Sequence, residues 1–183
     1  MDRNSAALFS AIVLSAICAC SGEKSQAAGA KTGANVDTSQ SAGVASVDAS
    51  AAAATGCDAS LWNHVYNPKR LQQLQSCASV TGVITESNVD DDGDQHFLLK
   101  LDPGQDQLLN KRNTKKKGGD LVLEVVCANP TSMKKAKAAC AGYTNPIPIP
   151  RVGAHVKATG TFVIDSHNGW AEVHPVSKFD PLK

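Results

Sequence analysis

The second half of the chain alternates apolar and polar residues with a period of two, as β-strands with one buried face do. Five segments show this alternation or a β-branched composition, separated by stretches rich in Gly, Pro, Asn and Asp. The predicted strands cover residues 78–85, 96–102, 121–127, 152–165 and 170–176. Phe97, Leu99 and Leu101 fall on one face of the second strand, which places His96 on the opposite face.

Two short helices are predicted beside these strands. Asn67 can cap a helix over residues 67–76, with Pro68 at its first position. A second helical segment of one or two turns is predicted over residues 132–139, after the third strand. The chain therefore runs through a helix, three strands, a short helix and two strands.

This order predicts a mainly β domain: a five-stranded Greek-key OB-fold barrel with a short helix between strands three and four and an N-terminal helical segment. The pairs Thr81-Gly82 and Thr159-Gly160 support a barrel, because small barrels need glycine where a strand bends and a neighbouring backbone comes close. The spacing Val152-Gly153-x-x-Val156-x-x-x-Gly160 is similar to the turn and fourth strand of many OB domains. A generic β-sandwich is the competing architecture. It is disfavoured because the chain has few strands and one helix between strands three and four.

The first 56 residues differ in composition from the rest of the chain. An apolar run over residues 6–19 breaks at Ser21-Gly22 and is too short to cross a bilayer as a helix, so residues 1–19 are predicted to be a signal peptide. Residues 20–56 are rich in Ala, Gly, Ser and Thr and lack hydrophobic periodicity, so we interpret them as a flexible tether. One OB-fold-like domain is left over residues 57–183.

The end of the apolar run resembles the bacterial lipobox. Ile17 and Ala19 stand three positions and one position before Cys20, although Cys18 departs from the usual residue. We therefore predict a lipoprotein-type signal peptide with lipidation of Cys20 and membrane attachment through that lipid, with ordinary cleavage as the alternative. The predicted location is the cell envelope, at the outer membrane in a Gram-negative cell, or otherwise the periplasm or the exterior.

Four cysteines remain in the predicted mature domain: Cys57, Cys77, Cys127 and Cys140. An even number in an exported domain indicates two disulfides. Three pairings are possible, and we favour Cys57–Cys77 and Cys127–Cys140. A four-cysteine zinc site is the alternative, but the sequence has no C-x-x-C pair to support it.

Charge is local rather than global, since the net charge is only +1. A basic loop between strands two and three supplies candidate anion-binding residues: Lys111, Arg112, Lys115, Lys116 and Lys117. OB-fold faces bind oligonucleotides and oligosaccharides. Single-stranded nucleic acids bind such faces by stacking their bases on aromatic side chains. Such side chains are scarce, the candidates being Trp62, Tyr66, Tyr143 and Trp170.

An acidic turn joins the first two predicted strands and supplies the candidate ligands Asp92, Asp94 and His96. Asp and Gly also form turns with no further role. Asp92-Gly93-Asp94 resembles a calcium-binding motif of staphylococcal-nuclease-like enzymes, which implies a metal-dependent phosphodiesterase, but Gln95 replaces that family's threonine. An EF-hand is excluded, because Leu101 stands where the bidentate Glu belongs.

A second cluster lies near the C-terminus, where Asp165, His167, Trp170, Glu172 and His174 are candidate ligands or acid/base groups. Strand alternation places Trp170, Glu172 and His174 on one face. A Glu and a His two positions apart can form a metal pair or an acid/base couple. The alternative is that Glu172 and His174 face solvent or form hydrogen bonds to neighbouring strands, with Trp170 covering an end of the barrel. The preceding Asn168-Gly169 is a strong hairpin signal.

Several motifs together resemble a group of small exported bacterial and archaeal proteins. They are Asn63-His64-Val65-Tyr66-Asn67-Pro68-x-Arg70-Leu71, Asp92-Gly93-Asp94-x-His96, Leu109-Asn110, Gly119-Asp120-Leu121-Val122-x-Glu124 and Asp165-x-His167-x-Gly169-Trp170-x-Glu172-x-His174-Pro175-Val176. The resemblance implies an OB-like domain and no assigned activity. The chain departs from the group at Asn168, where a second histidine is expected.

Three functions follow from these patterns. The first is an exported, lipid-anchored binding module for an oligonucleotide, a glycan or an envelope protein. The second is a metal-dependent, nuclease-like hydrolase that uses the two clusters and a divalent metal. The third is a structural envelope lipoprotein without a small ligand. Whether His96 and His174 converge distinguishes the second from the others.

Overall fold

The computed structural model describes residues 52–53 and 55–183. The predicted signal peptide, the lipidation site at Cys20 and nearly all of the predicted tether lie outside the described residues. Within the described part, no helix is long and apolar enough to cross a membrane.

The described chain is mainly β and forms one mixed sheet. Its strands are β1 (Ala52–Ala53), β2 (Leu71–Val89), β3 (Gln95–Leu101), β4 (Leu121–Val125), β5 (His155–Asp165) and β6 (Ala171–Pro181). The two-residue β1 lies at one edge, and the pairings of the five long strands run from β2 through β3, β4, β6 and β5 back to β2. All pairs are antiparallel except β4 with β6. The five predicted strands are all confirmed, with shifted ends.

The two strand glycines sit where neighbouring backbones come close, as the sequence predicts. A Cβ on Gly82 would meet the carbonyl of Lys100, and one on Gly160 would meet the carbonyl of Pro175. The missing side chains therefore let β2 approach β3 at Gly82 and let β5 approach β6 at Gly160. The main core lies inside this arrangement and includes Phe97, Leu123 and Phe162.

The prediction of a helix over residues 132–139 is wrong. The segment forms turns, because Ser132 and Met133 donate backbone hydrogen bonds to Asp91 and the chain must return to the disulfide at Cys140. The α-helix of the described chain, α1 (Lys111–Lys116), instead occupies the basic loop before β4. Asn110 caps it and exchanges hydrogen bonds with Asn113.

The predicted helix over residues 67–76 is also wrong for most of its length. Only Pro68–Arg70 forms a 3-10 turn, and a second 3-10 helix spans Ala59–His64. Strand β2 begins at Leu71 because its backbone pairs with the end of β5, which buries Leu71 against Val163. The N-terminal helical segment is thus confirmed in a shorter form.

Both favoured disulfides are present. Cys57 is bonded to Cys77, and Cys127 is bonded to Cys140. The four-cysteine zinc site is thereby excluded, because these sulfurs are not thiolates. The two disulfides support an exported, non-reducing environment.

Candidate metal centre

A group of charged side chains is buried on the sheet face opposite the main core. In β4, Leu121, Leu123 and Val125 point into that core, so alternation sends Glu124 to the other face. There it lies with His96 of β3 and with Glu172 and His174 of β6. All four side chains are less than a tenth exposed, and Glu172 is fully buried. The part of the alternative that has Glu172 and His174 facing solvent is therefore wrong, whereas contact with a neighbouring strand is present, between His174 and Glu124.

Glu124 joins the two histidines. Its Oε1 lies 3.3 Å from Nδ1 of His96, its register partner on β3, and its Oε2 lies 3.4 Å from Nδ1 of His174 on β6. The parallel pairing of β4 with β6 makes the second contact possible. His96 and His174 thus converge on one carboxylate.

His174 is oriented by two neighbours on its own strand face. Its Nδ1 is 3.1 Å from Glu172 Oε1, and Glu172 Oε2 accepts a 2.8 Å hydrogen bond from the indole of Trp170. Its Nε2 is buried and has no hydrogen-bond partner among the described residues. Asp94 Oδ2 lies 3.8 Å from this nitrogen. A carboxylate on one ring nitrogen is how proteins orient a histidine whose other nitrogen binds metal.

Two triads of possible ligands share Glu124. The inner triad is Asp94, Glu124 and His174, and the outer triad is Asp90, His96 and Glu124. In each triad, one donor atom per residue lies within 4.8 Å of the others. The inner triad is buried throughout, whereas the Asp90 side chain of the outer triad is 46% exposed.

The separations within the outer triad suit a cation better than strong ion pairs. Charge-assisted N–H···O⁻ bonds are about 2.7–2.9 Å long, but the contacts of His96 with Glu124 and Asp90 are 3.3 and 3.5 Å. Four ligands placed about 2.1 Å from a tetrahedral cation lie about 3.4 Å apart. The side chains are therefore spaced as ligands around a cation are.

Charge in the cluster shifts several pKa values. Burial lowers the pKa of both histidines, but Glu124, together with Asp90 for His96 and Glu172 for His174, outweighs burial and raises each to about 9. Burial raises the pKa of Asp94 to about 7 despite the charge of His174. Burial also raises the pKa of Glu172, whereas the two histidines overcome burial and lower that of Glu124. In the absence of a metal, the protonated histidines balance the charge of the buried carboxylates.

The position of the His96 proton marks the place where a cation would bind. Lys117 Nζ is 3.2 Å from His96 Nε2, and an ammonium can donate only to an unprotonated nitrogen. The contact with Lys117 therefore opposes protonation of both ring nitrogens of His96, which the neighbouring carboxylates favour. In either state Nδ1 carries a proton between Glu124 and Asp90.

A pocket of about 570 Å³ opens onto Glu124 and His96. Its walls also carry the acidic side chains Asp90 and Asp92 and the cations Arg70 and Lys117. Arg70 Nε is 3.6 Å from Oδ2 of the buried Asp165, and the Arg70 side chain is 24% exposed. Lys117 lies 4.2 Å from the centre of the Trp170 ring.

The predicted site residues separate into three groups. Asp94, His96, Trp170, Glu172 and His174 come together, and Asp92 lies on the pocket wall. Asp165 instead organises the turn before β6, accepting hydrogen bonds from the backbone of His167 and from Asn168, and His167 is exposed. Of the basic residues, Lys117 reaches the pocket and Arg112 bonds the carbonyl of Asn168, while three stay exposed: Lys111, Lys115 and Lys116.

Sequence reasoning missed three residues: Glu124, Asp90 and Arg70. Glu124 is the one charge in the apolar strand Leu121–Val125, and a lone carboxylate in a buried strand is a signal for a polar partner. Arg70 carries no such signal, because the chain brings it to the site only through the pairing of β2 with β5.

The comparisons with known proteins do not assign this site. No family model matches the chain, and no curated protein sequence matches it.

Proposed function

We propose that this protein is an exported, lipid-anchored OB-fold module that binds a divalent metal ion at the inner triad. The observation that carries the proposal is the buried Nε2 of His174, which has no hydrogen-bond partner within residues 52–53 and 55–183, while Glu172 holds the opposite nitrogen. Asp94 and Glu124 supply the two carboxylates beside it. An unpaired polar atom at such depth is costly, and a cation would satisfy it.

The donors indicate which metals to test. Imidazole suits zinc, iron, nickel and copper, whereas carboxylate and water suit manganese, magnesium and calcium. One imidazole with two carboxylates therefore favours Zn²⁺ or Mn²⁺ over Ca²⁺. A bound metal would supply a Lewis acid and a water of lowered pKa.

The OB-fold and lipid-anchor parts of the proposal rest on separate observations. The return of the strand pairings to β2 and the close glycine contacts support a closed Greek-key barrel, although the helix lies before β4 rather than after it. The lipobox-like Ile17-Cys18-Ala19-Cys20 supports the anchor, and the two disulfides support export.

Replacing His174 with alanine should weaken metal binding at the inner triad by at least ~100-fold, because it removes the imidazole ligand and its Glu172 support. Isothermal titration of the purified chain with Zn²⁺ and Mn²⁺ measures this. The matched control is His155→Ala, whose imidazole pairs with Asp102 on the surface at 2.9 Å. Equal binding by the wild type and His174→Ala would contradict the proposal, provided that circular dichroism shows both folded.

A metal-dependent phosphodiesterase is the second candidate function, favoured by the pocket that opens beside Glu124. Arg70 lines this pocket, and a guanidinium can hold phosphate oxygens as a bidentate fork. Binding of oligonucleotides through the basic helix draws less support. Trp62 packs against the second core cluster and Tyr143 stacks on His64, so neither is free to stack on bases.

Hydrolysis of bis(p-nitrophenyl) phosphate with Mn²⁺ tests this candidate. Arg70→Gln should lower kcat/KM by about 100-fold, because a positioned charge on the phosphate is lost. Arg151→Gln, an exposed arginine outside the pocket, should leave the rate unchanged. If both variants showed equal metal-stimulated turnover, Arg70 would have no role in the mechanism. If the metal-loaded wild type showed no turnover, the phosphodiesterase proposal would be contradicted and the metal-binding proposal would stand.

A further inference from the structure

We propose that the outer triad binds a second divalent cation, and that Glu124 bridges the two ions through its two carboxylate oxygens. This inference rests on the proposed inner site and extends it from one ion to a pair. The outer ion would be held by Asp90, His96 and Glu124, at the floor of the pocket.

Glu124 has the orientation that a bridging carboxylate needs. Its Oε1 lies beside Nδ1 of His96 in the outer triad. Its Oε2 lies 3.4 Å from Nδ1 of His174, and Glu124 keeps a donor oxygen within 4.8 Å of the Asp94 and His174 donors of the inner triad. Carboxylates that bridge metals hold the two ions about 3.5–4 Å apart, the spacing used in two-metal hydrolases. Within the part of the chain that the structure describes, the contacts of the Glu124 oxygens to the two rings are 3.3 and 3.4 Å, longer than the charge-assisted bonds that a metal would have to break.

The two positions differ in access. The Asp90 side chain is 46% exposed and lines the pocket with His96 and Glu124, so water and ligands reach the outer triad directly. The inner triad does not line that pocket except through Glu124. The outer ion should therefore exchange faster and keep coordination positions open, while the inner ion should be retained.

Lys117 and Trp170 give the outer site its own reporter. A metal on Nδ1 of His96 leaves the ring proton on Nε2, which then faces the ammonium of Lys117 at 3.2 Å, donor to donor. Lys117 must then leave this contact and its place over the Trp170 ring. Binding of the outer ion should thus change the fluorescence of Trp170, which a Trp62→Phe background isolates from the other tryptophan.

The test is the stoichiometry of Mn²⁺ on the purified full chain, measured by elemental analysis after gel filtration and by electron paramagnetic resonance. The wild type should bind two ions with a spin-coupled signal. Asp90→Asn changes a side chain that is 46% exposed, and this variant should bind one ion and lose both the coupling and the fluorescence response. Asp106→Asn makes the same charge change on an exposed residue of the Asp106–Leu108 turn, outside both triads, and should still bind two.

The outcomes separate the two proposals. One ion in the wild type, unaffected by Asp90→Asn, would overturn the bridged pair and leave the inner site standing. No bound ion in the wild type would overturn the inner site as well. Two ions without spin coupling would also contradict the bridge, because ions joined by one carboxylate interact magnetically.

Discussion

Replacing Glu124 with glutamine is expected to lower the free energy of unfolding by about 3–5 kcal/mol at pH 6 in the presence of a chelator. The carboxylate is 3% exposed and lies between His96 and His174, so its loss leaves two buried positive charges without their shared partner. Urea unfolding followed by circular dichroism measures the effect.

The same variant should show a weaker pH dependence. Both histidines have pKa values raised to about 9, above an unfolded value of about 6.5. A raised histidine pKa contributes stability that is complete below pH 6.5 and is lost as the pH rises through 9. Wild-type stability should fall across this window, whereas Glu124→Gln lowers both pKa values and should flatten the curve. The gap between the two proteins therefore narrows at pH 9.5.

Glu86→Gln is the matched control, since Glu86 is an exposed carboxylate on the wall of the same pocket. It should change stability by less than about 0.5 kcal/mol. If Glu124→Gln behaved like Glu86→Gln at pH 6, the buried pairing around Glu124 would be refuted.

Removal of the Cys127–Cys140 disulfide, by serine at both positions, should lower stability by about 3 kcal/mol on the chain-entropy model and also weaken metal binding. The bridge closes a separation of 13 residues. This segment holds the acidic turn in place, because Cys127 N donates to Asp94 Oδ1 and Asn129 N donates to the carbonyl of Gly93. Loosening it should misplace the Asp94 ligand.

The Cys57–Cys77 bridge supplies the comparison. It spans 20 residues, so its removal should also lower stability by about 3 kcal/mol. No residue of either triad contacts it through a described hydrogen bond, so metal affinity should not change. Chemical denaturation and metal titration of the two double variants distinguish the cases. Equal losses of metal affinity in both would show a general effect of instability.

The sequence was informative where local chemistry decides the outcome. Alternation predicts every long strand, and the close approaches at Gly82 and Gly160 follow from glycine within a strand. The helix prediction failed at residues 132–139, since helix-forming Lys and Ala were outweighed by backbone bonds to Asp91 and the disulfide at Cys140. A six-residue helix in a lysine-rich loop carries too little periodicity to be predicted, and only Asn113 of it is buried.

The candidate site shows the same division. Period-two alternation correctly places Glu172 and His174 on one face, but it does not say what that face meets. Their partner Glu124 is about 50 positions away in the chain and is aligned by the parallel pairing of β4 with β6. Parallel pairing leaves no turn signal between the strands, so neither the partner nor its burial can be derived from local patterns.

The parallel pairing of β4 with β6 also determines the stage of folding at which the inner triad can form. Asp94 precedes β3, Glu124 lies in β4, and His174 lies in the C-terminal strand, which pairs with both β4 and β5. No contiguous fragment shorter than residues 94–174 contains all three ligands, and the loops that join them must close before their contacts form. The metal would therefore bind a finished fold rather than nucleate it. An exported chain would take its ion from the compartment in which it folds, after synthesis and transport are complete.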